Sequence, residues 1–266
     1  MRERVRNIEI YYEIHGQGPR LLFIGGSGGD LRHKPGVFEG PLVQEFEVLS
    51  YDQRGLGRSE RPNGPYSMAD YGEDAAALLD ALGWDRCRVM GVSFGGMVAQ
   101  ELALRYPERV ERLVLACTSS GGEGKPSYPL HELQELPAEE RALRSIELSD
   151  VRRDAAWRRA NPKQAAAALA FMQARAAAGA DEPGREQGFR LQLEARSGHD
   201  TWERLPGLPM PVYICGGRHD GIAPPANQYA MAAQIPNAQL ELFDGGHLFL
   251  MQDAGALPKI AGFLRG

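Results

Sequence analysis

An α/β architecture is predicted, a mostly parallel sheet with helices on both faces and a helical cap inserted late in the chain. Three observations predict it. Short apolar runs of strand length alternate with helical stretches along most of the 266 residues. Most of these runs are continuously apolar, as suits strands covered on both faces. The alternation breaks once, between about residues 119 and 206, where the text turns Ala-, Arg- and Glu-rich and offers no strand.

Taken in order, NIEIYYEI (7–14) alternates like a half-buried strand, and RLLFI (20–24) follows a Gly-Gln-Gly-Pro turn. The two read as an antiparallel start to the sheet. FEVLSY (46–51), RCRVM (86–90), RLVLAC (112–117), MPVYIC (210–215) and AQLELF (238–243) are the later strand candidates. Between them, EDAAALLDALG (73–83) has helical spacing and ends in Gly83, a left-handed cap. Residues 95–106 place Val98, Ala99, Leu102 and Ala103 on one stripe before Pro107 stops the helix, and helices are also expected over 225–234 and 254–264. The core domain is therefore 1–118 with 207–266, and residues 119–206 form the cap. The cap is bounded by SSGGEGKPSYP and LPGLPMP, and Leu169, Phe171 and Met172 give it an apolar face that favours order over a disordered linker.

Composition limits the function. The net charge is −5 and basic residues are scattered among acidic ones, which argues against a nucleic-acid partner. No apolar run approaches the roughly 20 residues of a membrane helix, and MRERVRNIEIYYEIHG has no secretory pattern, so the cytoplasm is the expected location. Cys87, Cys117 and Cys215 each fall within or at the end of a strand candidate and read as small core residues, not as a disulfide or metal set. The sequence specifies no oligomeric state.

The chemistry is concentrated in VMGVSFGGM (89–97). A bare G-x-S-x-G in a glycine-rich chain is only a starting point. Here it follows a strand and opens a helix, the setting of a nucleophile elbow, in which a strained turn holds Ser93 above the sheet. A dinucleotide fingerprint would need glycine at position 93, and no G-K-[ST] occurs. A serine hydroxyl needs a base, and the base needs an orienting acid. His247, in FDGGHLFLM, follows the last strand candidate. Asp220 follows MPVYIC through a Gly-Gly-Arg-His turn, which points Asp220 inward and His219 away. Asp244, three residues before His247, reads as a turn residue, so Asp220 is favoured. The order Ser93, Asp220, His247 places three roles at three strand ends. Donors for a developing oxyanion are expected from the backbone N–H of Phe94 and, in GGSGGD (25–30), from that of Ser27, where Gly26 and its neighbours let the backbone approach a substrate.

With YDQRGLGRS (51–59), GVSFGG (91–96), GGRHDGIAPP (216–225) and GGHLFL (245–250) in place, the chain resembles the α/β-hydrolase superfamily over nearly its whole length. The resemblance is to the group of 3-oxoadipate enol-lactonases, proline iminopeptidases, cofactor-free haloperoxidases and small carboxylesterases. It implies an eight-stranded sheet and a Ser93–His247–Asp220 triad under a lid; no cofactor or metal is expected, because a triad with an oxyanion hole itself supplies nucleophile, base and charge stabilisation. One departure is visible: relatives often carry His-Gly where this chain has Gly25-Gly26.

The expected activity is hydrolysis of a small-molecule carboxylic ester or lactone through an acyl-enzyme. Carbon–carbon bond hydrolysis and cofactor-free perhydrolase or haloperoxidase chemistry are alternatives on the same triad, and a non-catalytic receptor is a further one. In the cap, 13 Lys/Arg stand against 14 Asp/Glu, so bulk charge selects no anion. Arg190 and Arg196 are candidates for a substrate carboxylate. Phe171 and Met172 in the cap, and Leu248 and Phe249 beside His247, are candidate pocket walls or core residues.

Overall fold

The structure, a computed structural model, describes residues 1–236 and 238–266. Eight strands form one sheet: β1 (Arg2–Val5), β2 (Ile8–His15), β3 (Arg20–Ile24), β4 (Glu47–Tyr51), β5 (Cys87–Val92), β6 (Val110–Ala116), β7 (Val212–Gly217) and β8 (Gln239–Phe243). Their spatial order is β1-β2-β4-β3-β5-β6-β7-β8. The pairs from β4 to β8 are parallel, and only β1–β2 and β2–β4 are antiparallel.

The start of the sheet is antiparallel, as expected, but its pairing differs. Segments 7–14 and 20–24 are not a hairpin: β4 lies between them, paired with β2 through Tyr12–Tyr51 to His15–Val48 and with β3 in parallel. Local turn chemistry suggested pairing, but the apolar run of β4 fits the centre of a two-sided sheet and displaces the local partner. The charged edge strand β1 was also not expected, because RERV has no alternation of its own; its register on β2, Arg2–Tyr11 to Val5–Ile8, forms it.

Neighbouring residues along the central strands feed opposite faces, as the two-residue repeat requires. Leu22, Leu49, Val89 and Leu115 join one core with the helices α1 (Met68–Ala81) and α2 (Phe94–Arg105). Leu21, Val48, Met90 and Val114 join another on the far face. Helix α1 starts earlier than its apolar spacing suggests, because Ser67 caps it: its side chain accepts from the Asp70 N–H while the Asp70 carboxylate accepts from the Ser67 N–H. Gly83, at φ +64°, follows its end.

The 119–206 segment is helical: α3 (Ala138–Ser149), α4 (Ala155–Ala160), α5 (Pro162–Ala177) and α6 (Arg185–Ser197), with short 3-10 turns. These helices differ in attachment. No residue of α5 is fully buried, whereas Leu191 and Ala195 of α6 enter the main core. The chain closes with α7 (Pro225–Gln234), α8 (Phe249–Gln252) and α9 (Ala256–Arg265), the last lying against the far face.

Candidate active site

The first catalytic candidate sits where β5 becomes α2. Ser93 adopts φ +56°, ψ −119°, a conformation that side chains other than glycine rarely take. The sequence permits it through small neighbours. A side chain on Gly91 would run into the Gly95 carbonyl, one on Gly95 into the Ile24 carbonyl, and one on Gly96 would lie 2.6 Å from the Thr118 side chain. The turn is held by the Ser93 N–H on the Ala116 carbonyl at 2.8 Å and the Gly96 N–H on the Ser93 carbonyl at 2.9 Å.

His247 reaches Ser93 from the loop after β8. Its Nε2 lies 2.9 Å from Ser93 Oγ and its Nδ1 lies 2.7 Å from Asp220 Oδ2. The other Asp220 oxygen accepts the N–H groups of Ile222 at 2.7 Å and Ala223 at 2.9 Å. An ionised carboxylate only accepts, so Nδ1 carries the proton and Nε2 presents its lone pair to the serine. The loops that carry Asp220 and His247 are joined by their backbones, Arg218 N–H to the Phe243 carbonyl and His219 N–H to the Gly245 carbonyl. The end of α3 braces both: the His247 N–H donates to the Ser149 carbonyl at 2.5 Å, and the Gly221 N–H to that of Leu148 at 2.9 Å.

The competing residues lie elsewhere. Asp244 is three-quarters exposed and pairs with Arg152, while His219 faces Asp244 at 3.6 Å. Cys117, buried at the end of β6, has its sulfur within 4.8 Å of the Asp220 and His247 ligand atoms. Burial first, and the Asp220 carboxylate second, push its thiol well above the usual range, so it stays protonated. Asp220 and His247 are committed to the hydrogen-bonded chain, and the cysteine reads as filling. Cys87 and Cys215 are likewise buried free thiols.

Gly26 brings the 25–30 loop against the serine: a Cβ there would lie 3.3 Å from Ser93 Cβ and 3.9 Å from its Oγ. Among the described residues, no carbonyl or side chain accepts the N–H of Ser27 or Phe94. The loop is fastened by residues to which the sequence reading gave no role. Gln53 Nε2 donates to the Gly25 carbonyl at 2.8 Å, and Asp52 Oδ1 accepts the Leu31 N–H at 2.7 Å. Burial holds the Asp52 carboxyl up at about 6. Both residues lie in the quoted YDQRGLGRS stretch, which was the available signal.

The candidate substrate contacts separate. Arg190 is largely exposed and paired with Glu194 at 2.6 Å. Arg196 is buried, with its guanidinium on the Tyr128 carbonyl and Ser127 Oγ, Nε unpaired among the described residues; burial lowers it to about 10. Phe249 is fully buried and stacked on Phe243 at 5.5 Å, so of its two readings the structure takes core packing and not the pocket wall. Leu248 and Met172 are half-buried, and so is Phe171, which lies beneath the Arg175 guanidinium.

Comparison with known proteins agrees with this fold. A family model described as alpha/beta hydrolase fold matches residues 19–254. The chain is 33% identical over 246 residues to a poly(3-hydroxyalkanoate) depolymerase of Ectopseudomonas oleovorans, covering 92% of this chain and 84% of that protein. It is 34% identical over 246 residues to a 2-hydroxymuconate semialdehyde hydrolase of Pseudomonas putida, covering 86% and 81%. The crystal structure of the enol-lactonase from Burkholderia xenovorans superposes with a TM-score of 0.81 at 24% identity over the full length of both chains, a likeness of fold. With an eight-stranded, mostly parallel sheet and a serine at the β5–α2 elbow, this chain belongs to the alpha/beta hydrolase family.

Proposed function

We propose that this hydrolase cleaves a carboxylic ester or lactone of a small molecule, with Ser93 as nucleophile, His247 as base and Asp220 as its orienting acid. The observation that carries the reading is the unbroken hydrogen-bonded chain from Ser93 Oγ through both His247 nitrogens to a buried carboxylate. As Ser93 Oγ attacks the carbonyl, His247 Nε2 takes its proton, and Asp220 stabilises the resulting imidazolium. The carbonyl oxygen becomes an oxyanion between the N–H groups of Ser27 and Phe94. One such donor contributes about 10²–10³ in rate. His247 then protonates the leaving alkoxide, and a water, activated by the same imidazole, releases the acid.

The ester reading also draws on the likeness to a depolymerase whose named polymer is a polyester. The likeness to 2-hydroxymuconate semialdehyde hydrolase supports a second reading, carbon–carbon bond hydrolysis on the same residues. For substrate contacts, Leu248, Phe171 and Met172 remain the apolar candidates and Arg196 the buried cation; Arg190 is occupied in solvent.

Two measurements test this. A fluorophosphonate should label Ser93 under native conditions, as located by mass spectrometry; no adduct there overturns the nucleophile. Rates on p-nitrophenyl esters of short acids, simple lactones and a vinylogous diketone should favour the first two. Preference for the diketone selects the second reading.

A further inference from the structure

Gln192 lies on α6, in the segment read as a lid, yet it is fully buried and its side chain reaches the loop beside Ser93. Its Oε1 accepts the Gly28 N–H at 2.8 Å across 164 residues of sequence. The amide cannot be turned round, because an NH₂ facing an N–H would leave two donors opposed. Three residues earlier on the same helical face, Phe189 covers Gly28: a Cβ at this left-handed glycine (φ +64°) would lie 3.1 Å from the ring.

The bond bears on Ser27 through the backbone. The Ser27 N–H belongs to the peptide that carries the Gly26 carbonyl, and that carbonyl accepts the Gly29 N–H at 3.0 Å. The next peptide, which carries the Gly28 N–H, is the one Gln192 holds. Fixing both peptide planes about the Ser27 Cα fixes where its N–H points, since each plane is rigid. Helix α6 is a firm mount: a side chain on Gly188 would run into the Gly55 carbonyl, Leu191 enters the main core, and Arg196 is tied to Ser127 and Tyr128. Gln53 holds the near end of the loop at Gly25, and Gln192 holds its far end.

We propose that Gln192 is a positioning residue, through which cap helix α6 sets the Ser27 N–H for the oxyanion. This rests on the reading of Ser93 as nucleophile. The geometric demand is strict, because displacing a reacting group by about 1 Å costs about 10²-fold.

The test compares the parent protein with Gln192→Met, which removes the acceptor at similar volume, and Gln192→Glu, which keeps an acceptor oxygen. Each is titrated with fluorophosphonate so that rates refer to folded sites. Each is then assayed with p-nitrophenyl butyrate and with a trifluoromethyl ketone, whose adduct places an oxyanion in the hole. Gln192→Met should lose about 10- to 100-fold in kcat with KM within about 3-fold, lose ketone affinity in parallel, and Gln192→Glu should restore most of both. The proposal is overturned by a Gln192→Met kcat within 2-fold of the parent, by a KM change alone with ketone affinity intact, or by Gln192→Glu as slow as Gln192→Met. An unlabelled Ser93 in the parent would instead overturn the nucleophile reading, and this proposal with it.

Discussion

At Ser93, the proposed nucleophile, the backbone is strained. Its φ of +56° is a conformation that glycine takes without penalty, and such residues cost of order 1–3 kcal/mol. Ser93→Ala should therefore lose ester turnover by about 10⁶-fold with the fold intact, whereas Ser93→Gly should be equally inactive yet more stable by about 1 kcal/mol. Urea melts of the two check this, and a less stable glycine variant would refute the strain. For Asp220 the proposed role is orientation. Asp220→Asn puts an NH₂ where the acceptor stood, so the Nδ1 proton loses its partner and the imidazole turns to the wrong tautomer. A fall in kcat of about 10³–10⁴ with a small change in KM is expected from steady-state rates on p-nitrophenyl butyrate. The pair Asp220 and Asp244 was separable in sequence because the strand end aims one and leaves the other in a turn.

Elements are joined at the site by absent side chains as much as by present ones. Gly95→Ala would drive a methyl into the Ile24 carbonyl, between α2 and β3, and should destabilise by about 2–3 kcal/mol or prevent folding. Gly25, one residue beyond that carbonyl, has nothing within 4 Å of a Cβ position, and Gly25→Ala should stay within about 0.5 kcal/mol of the parent. Thermal melts of the two decide whether the elbow or the loop carries the steric constraint. At the other end of the site, Phe249 supports α8 from the core. Phe249→Ala should cost about 3–5 kcal/mol by urea denaturation, with KM per titrated site changed little. A large KM effect with normal stability would return Phe249 to the pocket wall.

Across the whole molecule, the buried histidines set an acid limit. His199 is buried with both ring nitrogens unpaired among the described residues, and burial pulls it down to about 4. Because this lies below its value near 6.5 in an unfolded chain, the folded state resists a proton that the unfolded state binds. Its contribution is fully present above about pH 6.5 and is lost as pH falls towards 4. His33 adds in the same direction, lowered by burial and then by Arg175. His199→Leu should flatten the fall in urea midpoint between pH 6.5 and 4.5, and an unchanged slope would remove His199 from the balance. The 119–206 segment contributes at this scale too. Helix α6 belongs with the core, while Glu182, in the loop before it, is held by Arg32 and Arg61 from core loops.

The sequence by itself determined the strand–helix alternation, the elbow, and the placing of Ser93, Asp220 and His247 at strand ends, because each rests on local chemistry: glycine spacing, apolar runs and strand-end turns. Even Asp52 and Gln53 stood in a stretch singled out for its resemblance, although their hold on the 25–31 loop was not readable there. Tertiary structure decided what depends on distant partners. It inserted β4 between β2 and β3, sent Phe249 into the core and Arg190 into solvent, and brought Gln192 onto Gly28. A buried position and a hydrogen bond across 164 residues are properties of packing, since the same glutamine on an outward helical face would have met only water.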